Sequence, residues 1–409
     1  MCWIILGHTY YYIGSSLTTD NLIPTLINFP KRFYTQVIVQ APLAVDSFFL
    51  LSGLLASYIF FKKFLKDKTI RNPRNPLMWL MIYVKRYTRW AEYLCRFPVA
   101  VFICRFRITP TYAVIMLFDV TLFTYVSSGP FWRPIEKTGC RFSWWTNFLY
   151  MNNFLLQHVE CCMGWTWYLA NDVQFHYVIA PILFIAFAKV KKLDAYWNDV
   201  YVRPYVRCGP FIVGVVVGYL LNYLTQDRKG NRVEIPKKWV MLGWCTSTVL
   251  GLYSVFGLYE YARTGDISEQ WRALYVVAGR NAYALAVGWV AFACATGNGG
   301  PVGTFLSWKF FMPLSKITFC AYLLHPIMLQ IYNFSRPQPF HFTTFFQMLQ
   351  HTFEAIFVSY LLAFFFALGF EKPFTVFDEM LMPVKSRTSA RKKSIELKAS
   401  NGETEPLKT

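Results

Sequence analysis

The chain has 409 residues, of which 55% are hydrophobic, 19% aromatic and 15% charged, and its 41 Lys and Arg against 22 Asp and Glu give a net charge of +19. A soluble domain carries about 25% charged residues, and the mean hydropathy here is +0.31, so the numbers exclude an ordinary soluble enzyme and describe a polytopic membrane protein. The basic excess gathers in loops and in the tail, where positive-inside bias and anionic headgroups account for it without nucleic acid.

Residues 2–14 are apolar, but thirteen residues reach about 20 Å against a hydrocarbon core of roughly 30 Å. The chain reads as starting inside its first helix, with no cleavable signal pattern. Residues 37–61 are long enough to span, and 108–126 span next, followed by a loop over about 127–165. Further helices are expected near 168–188, 208–224, 239–260, 273–295, 314–333 and 344–370. The expected fold is an all-α, polytopic transmembrane helical bundle of about nine spans. One membrane domain covers 1–380, and 381–409 is a disordered cytosolic tail, basic and then mixed in charge, with no apolar core.

Charge sets an expected orientation. Lys62, Lys63, Lys66, Lys68, Arg71, Arg74, Lys85, Arg86 and Arg89 stand against Asp67 alone, a cytosolic signal, and Lys385, Arg387, Arg391, Lys392 and Lys393 form another. The helix count does not put both on one side. Helices 108–126 and 168–188 leave Lys189, Lys191 and Lys192 inside, and five further crossings then end outside. One more crossing between Lys192 and Tyr201 restores agreement.

The chemistry starts with His8. An ionisable histidine in an apolar run is costly in a bilayer and is a functional candidate by default. O-acylation needs a base that takes the acceptor hydroxyl's proton as a thioester carbonyl is attacked, and imidazole titrates near the working pH. The competing reading is a histidine hydrogen-bonded to a neighbouring helix. Asp46 opens an apolar helix, where it either orients His8 or a hydroxyl, or caps the helix. Arg86 and Arg89 are three apart, on one helical face at the expected cytosolic border. They either hold the phosphates of acyl-CoA or anchor the helix. Asp172 and His176, four apart, form an acid–imidazole pair without a third metal ligand. His325-Pro326 reads as a helix-kinking polar site.

Ten Cys are scattered without CxxC or zinc spacing. Cys140, Cys161 and Cys162 share the expected external loop, where a disulfide is one outcome. Asn333-Phe334-Ser335 is the one glycosylation sequon, close to the membrane. There is no Walker A, G-x-S-x-G or H-x4-D motif, which removes support for ATPase, serine hydrolase and glycerophosphate-acyltransferase readings.

Six strings, in order, carry a family resemblance. They are Ile5-Leu6-Gly7-His8-Thr9-Tyr10, Asp46 to Gly53, Tyr83-Val84-Lys85-Arg86-Tyr87-Thr88-Arg89, Trp167 to Phe175, Tyr201-Val202-Arg203-Pro204-Tyr205-Val206-Arg207, and Leu314 to Pro326. Together they resemble the acyltransferase-3 family, and most of all its animal branch, the nose resistant to fluoxetine proteins. The resemblance runs from residue 1 to about 380. It implies a bundle of about ten or more spans, with His8 and Asp46 as catalytic residues and Arg86 and Arg89 as the acyl-donor site. It places Ser52, Trp167, Tyr168, Asp172, Gln174, Arg207 and His325 along a cavity. It implies acyl-CoA as co-substrate with no bound cofactor and no metal, and a lipid or small hydroxyl-bearing acceptor.

The departures are specific. The family carries an Arg ten residues before the histidine, which this chain cannot hold upstream of His8. The animal branch adds a cysteine-rich extracellular domain before that point. Trp90–Arg107 intervenes before Ile108-Thr109-Pro110, and a helix expected before the Tyr201 string is missing. These point to a truncated or misassembled gene model, the alternative being a divergent paralogue. Two functions follow from the resemblance. One is an integral-membrane acyltransferase acting from acyl-CoA. The other is a non-catalytic membrane protein for lipid or drug uptake.

Overall fold

The computed structural model describes residues 1–15, 19–64, 109–132, 140–153, 155, 162–176, 208–226, 235–374 and 376. Among them every long element is helical, and pairing of the strand type is limited to one isolated parallel bridge, Thr19 with Phe340. In a bilayer the backbone must satisfy its hydrogen bonds internally, and a helix does so within one segment.

The principal helices are α1 (Cys2–Ser15), α2 (Leu43–Phe64), α3 (Thr109–Thr121), α4 (Cys140–Phe148), α5 (Trp167–Gln174), α6 (Cys208–Gln226), α7 (Lys237–Phe256), α8 (Glu269–Ala295), α9 (Phe311–Phe334) and α10 (Phe345–Phe366). By length and apolar composition four helical stretches can cross a membrane: Leu43–Lys62, Lys237–Thr264, Phe311–Phe334 and Phe345–Phe374. A fifth is α8 if its two parts, Glu269–Tyr275 and Ala278–Ala295, bent by 44°, form one span. Pro110–Thr121 and Cys208–Leu224 are apolar but shorter. The described residues therefore supply four or five spans of the nine read from the sequence. One of the expected spans stops short as a helix, and another is described only in part. The 108–126 span gives way to a 3₁₀ turn at Phe123–Tyr125, and only the first part of 168–188 is described. The expected tail lies outside the described residues.

Between helices in lipid, small residues set how closely backbones approach. Gly53 faces the Phe211 carbonyl, and Gly214 and Gly218 face the Leu50 and Leu54 carbonyls, so a Cβ at any of the three would overlap the opposing main chain. Ser57 Oγ donates across the same seam to the Val215 carbonyl at 2.7 Å. The α7–α8 seam is stitched likewise, by Ser247 to the Ala286 carbonyl at 3.0 Å and Ser254 to the Gly279 carbonyl at 2.9 Å.

These contacts fix helix directions. Leu50, Leu54 and Ser57 meet Gly214 to Gly218 in rising order, so α2 and α6 are parallel. Gly209 meets Asn281, and Val213 and Val217 meet Gly288, so α8 runs with them. The rising-against-falling pairs of α7 and α8 make those two antiparallel. On the other side of the bundle, His8 meets His325 and Tyr12 meets Gln330, so α1 and α9 are parallel. Tyr332 to His351 and Cys320 to Glu371 make α10 antiparallel to α9. With α2 and α6 parallel, Phe64 and Gln226 end on one face while Cys208 begins on the opposite one. The chain between Phe64 and Cys208 must then cross an odd number of times, where the sequence offers two apolar stretches.

On the face where α1 ends, residues 19–21 are clasped to the α9–α10 loop. The Asn21 side chain donates to the Phe342 carbonyl at 2.6 Å and accepts from the Phe342 amide at 2.9 Å, and Asp20 pairs with His341 at 2.8 Å. The aromatic segment that follows packs over the same face, with Phe33 stacked on Phe256 and Tyr34 against Phe345.

Candidate functional site

His8 lies on α1, one residue after Gly7, whose missing Cβ lets Ala41 pack directly against the helix. Ile4 and Ile5 bury the inward stripe, and Thr9 returns its hydroxyl to the Ile5 carbonyl at 2.8 Å. That leaves the half-buried His8 ring facing α9. Its Nδ1 lies 2.7 Å from His325 Nε2, and the rings are stacked with centroids 4.9 Å apart and planes within 10°. His325 is fully buried, and its Nδ1 lies 3.0 Å from the Ala321 carbonyl. Proline supplies no amide hydrogen, so Pro326 leaves the Tyr322 carbonyl one turn back without its helical donor. The helix nonetheless continues through Pro326 to Phe334.

The tautomers follow from the partners. A backbone carbonyl only accepts, so His325 Nδ1 carries the proton. Neutral His325 then accepts at Nε2, and the proton between the rings belongs to His8 Nδ1. His8 Nε2 is left as an unprotonated lone pair. A base of this kind, oriented at one nitrogen and basic at the other, is what proton abstraction from a hydroxyl requires.

An aromatic wall flanks the pair. Tyr12 stands edge-on to His8 at 6.0 Å and its hydroxyl accepts from Gln330 at 3.3 Å. Tyr322 lies 6.1 Å from His325 and donates to the Trp165 carbonyl at 2.6 Å. Tyr168 bridges Tyr322, at 5.8 Å, to Phe49, at 4.7 Å, and Trp167 also packs on Phe49 at 6.3 Å.

Asp46 is buried in the first turn of α2, where the helix dipole favours negative charge, and it lies inside the helix rather than at its cap. Its neighbour Ser47 meets the Tyr283 hydroxyl at 2.9 Å. The group that orients His8 at Nδ1 is His325. Ser52 Oγ is 2.8 Å from His176 Nε2, and Asp172 Oδ1 is 3.6 Å from the same nitrogen. A hydroxyl–imidazole–carboxylate relay needs the acid on the opposite ring nitrogen, so this trio ties α5 to α2. Gln174 donates to the Tyr150 carbonyl at 2.9 Å and exchanges bonds with Asn153 at 2.8 and 2.9 Å. Arg86, Arg89 and Arg207 lie outside the described residues.

Cys140 is disulfide-bonded to Cys162, and Cys161 lies outside the described residues. Among the described residues, one set of metal-ligand types is close enough to share an ion: Asp119, Cys140 and Cys162. There the sulfurs are already committed to each other. Asn333 of the sequon is buried, and its side-chain amide donates to the Leu329 carbonyl at 2.8 Å, which withdraws it from modification.

Two curated proteins of Caenorhabditis elegans are similar to this chain. Nose resistant to fluoxetine protein 6 is 58% identical over 432 aligned positions, covering 94% of this chain and 50% of that protein. Regulator of hypoxia-inducible factor 1 is 24% identical over 397, covering 81% of this chain and 69% of that protein. The chain thus spans about half the length of the first. No family model matches it, and no solved structure does. The 94% of this chain that is matched is about 384 residues, so within the 432 aligned positions the first relative carries about 48 residues that this chain lacks.

Sequence reading singled out both histidines but not their pairing, and it left Ser52 and His176 in separate lists. The available signal was energetic. Two imidazoles on separate apolar helices each need a polar partner, and each is the other's nearest solution.

Proposed function

We propose that this chain is the membrane domain of an integral-membrane acyltransferase that moves an acyl group from acyl-CoA to a hydroxyl on a lipid or small molecule, with His8 as the general base. The observation that carries the reading is the His8–His325 bond, which leaves His8 Nε2 basic and held in place. His325 is a positioning residue and Asp46 has no assigned step. The acceptor hydroxyl gives its proton to His8 Nε2 as its oxygen attacks the thioester carbonyl, and CoA leaves as the thiolate. The face bearing Lys62 is the cytosolic one by its basic charge, and acyl-CoA reaches the site from there with Arg86 and Arg89 on its phosphates. The tail is then cytosolic and the Cys140–Cys162 disulfide belongs to the oxidising side. The acyltransferase-3 resemblance and the 58% identity to a nose resistant to fluoxetine protein support the assignment to that branch.

The test is His8→Ala in a full-length version, followed as CoA release and acyl-product formation in membranes. Loss of about 10²-fold or more is expected for removing a general base; wild-type turnover from a folded variant refutes it. A second reading is a non-catalytic protein for lipid or drug uptake. It is favoured by the relative's name, which records a response to fluoxetine rather than a reaction. Uptake that persists in the folded His8→Ala variant, with no acyl product from either protein, selects it.

A further inference from the structure

The described charges are distributed unequally between the two faces. On the face where α1 ends, Asp20, Glu260, Asp266 and Glu269 stand among Lys31, Arg32, Arg263, Arg272 and Arg336, and Glu260 pairs with Arg263 at 3.0 Å. On the opposite face, residues 235–244 and 296–316 contain four Lys (Lys237, Lys238, Lys309 and Lys316) and no Asp or Glu, and the Glu371 carboxylate there accepts from Cys320. All four are exposed and have no ion-pair partner among the described residues.

Two further observations join these lysines into one surface. Trp244 Nε1 of α7 donates to the Asn298 carbonyl at 3.4 Å, and Gly243 packs under the Trp289 ring, so the start of α7 lies against the segment that follows α8. The large apolar side chains on this surface point outward: Trp239 is 63% exposed, Phe305 60%, Trp308 58% and Phe310 56%. Exposed Trp and Phe interleaved with Lys are the composition of the headgroup level, where rings sit at the acyl boundary and ammonium groups reach phosphate.

We propose that the start of α7 and the segment 296–316 form a binding site for an anionic phospholipid of the leaflet on that face. The lysines take the headgroup's negative charge and Trp239, Phe305, Trp308 and Phe310 seat its acyl chains. The site involves none of the residues around His8 and stands whether or not the chain transfers acyl groups. Free CoA also carries phosphate, but the outward aromatics suit a ligand with acyl chains lying in the bilayer.

The experiment is lipid retention by the full chain, purified from mixed phosphatidylserine and phosphatidylcholine membranes and weighed by native mass spectrometry. Each Lys near an anionic surface is worth roughly fivefold in partitioning, so phosphatidylserine should be retained at least about tenfold over phosphatidylcholine. The variant Lys237→Gln, Lys238→Gln, Lys309→Gln, Lys316→Gln should lose that preference. The charge-matched control Lys31→Gln, Arg32→Gln, Arg263→Gln, Arg272→Gln on the opposite face should keep it. Both variants are checked for helix content by circular dichroism and for monodispersity. Equal retention of the two lipids by the native chain overturns the proposal. So does unchanged preference in the lysine variant, equal loss in the control, or displacement of the lipid by free CoA. If the lysine variant is misfolded, the four single substitutions replace it, and preference retained in all of them is the refuting result.

Discussion

His325 gives the sharpest test of how His8 is held. His325→Ala removes the acceptor 2.7 Å from His8 Nδ1 and frees the imidazole in two ways. The ring can rotate, and the proton is no longer biased to Nδ1, so a fraction of molecules carry it on the nitrogen that must act as base. The net worth of such a bond is about 0.5–1.5 kcal/mol, and 1.36 kcal/mol is tenfold in rate. Lost orientation and mixed tautomers together should lower kcat about tenfold to a hundredfold, less than the loss in His8→Ala. His325→Gln separates positioning from proton transfer. Its amide oxygen can accept from His8 Nδ1 and its amide hydrogens can reach the Ala321 carbonyl, but it cannot take up a second proton. A positioning role predicts that Gln restores most of the rate lost in Ala, with KM little changed. The assay is CoA release from acyl-CoA in membranes carrying equal amounts of each folded variant. If His325→Ala keeps full rate, His325 does not position the base. If His325→Gln is as inactive as His8→Ala, His325 takes the proton itself and the assignment of roles is wrong.

Arg86→Ala with Arg89→Ala should weaken acyl-CoA binding about tenfold or more, each Arg supplying a charge-assisted phosphate contact. Unchanged affinity in a direct binding assay returns both to helix anchoring. Cys140 and Cys162 should resist alkylation until reductant is added, and mass spectrometry of the non-reduced digest should recover the linked peptides. Free thiols at both positions in protein from the secretory pathway would remove the disulfide. Accessibility tags beside Lys62 and in residues 227–234 should report the same face, because α2 and α6 are parallel; tags on opposite faces would contradict the α2–α6 packing.

The helical class and the helix positions from 208 onward were legible, because 20-residue apolar runs leave few alternatives in a bilayer. α7, α9 and α10 begin within three residues of where hydropathy puts them. The span count was less legible. Hydropathy registers apolar length and not backbone path, so the 44° bend in α8 and the early end of α3 at Thr121 leave no mark in it. At the site, chemical type was readable and geometry was not. His8 announced itself as a costly imidazole, but its partner lies 317 residues away on α9, and no local pattern encodes that separation. Asp46 was legible in type and place along the helix only. An acidic residue near a helix start read equally as an orienter for His8, a holder of a hydroxyl or a helix cap, and the fold places it in the first turn of α2, inside the helix.

Two observations of different kinds bear on the chain between α2 and α6. The distribution of Lys and Arg calls for one more crossing after Lys192. The parallel packing of α2 and α6, which depends on glycines and not on charge, requires an odd number of crossings between Phe64 and Cys208, and the sequence supplies two apolar stretches there. Neither depends on the other. The site does not depend on the stretch either. His8 and His325 meet through α1 and α9, and both helices hold their places through α10 and the clasp at Asp20 and His341. A missing crossing would therefore disturb the start of α6 before it disturbed the histidine pair. Restoring it should change how substrates reach His8 more than how His8 is held.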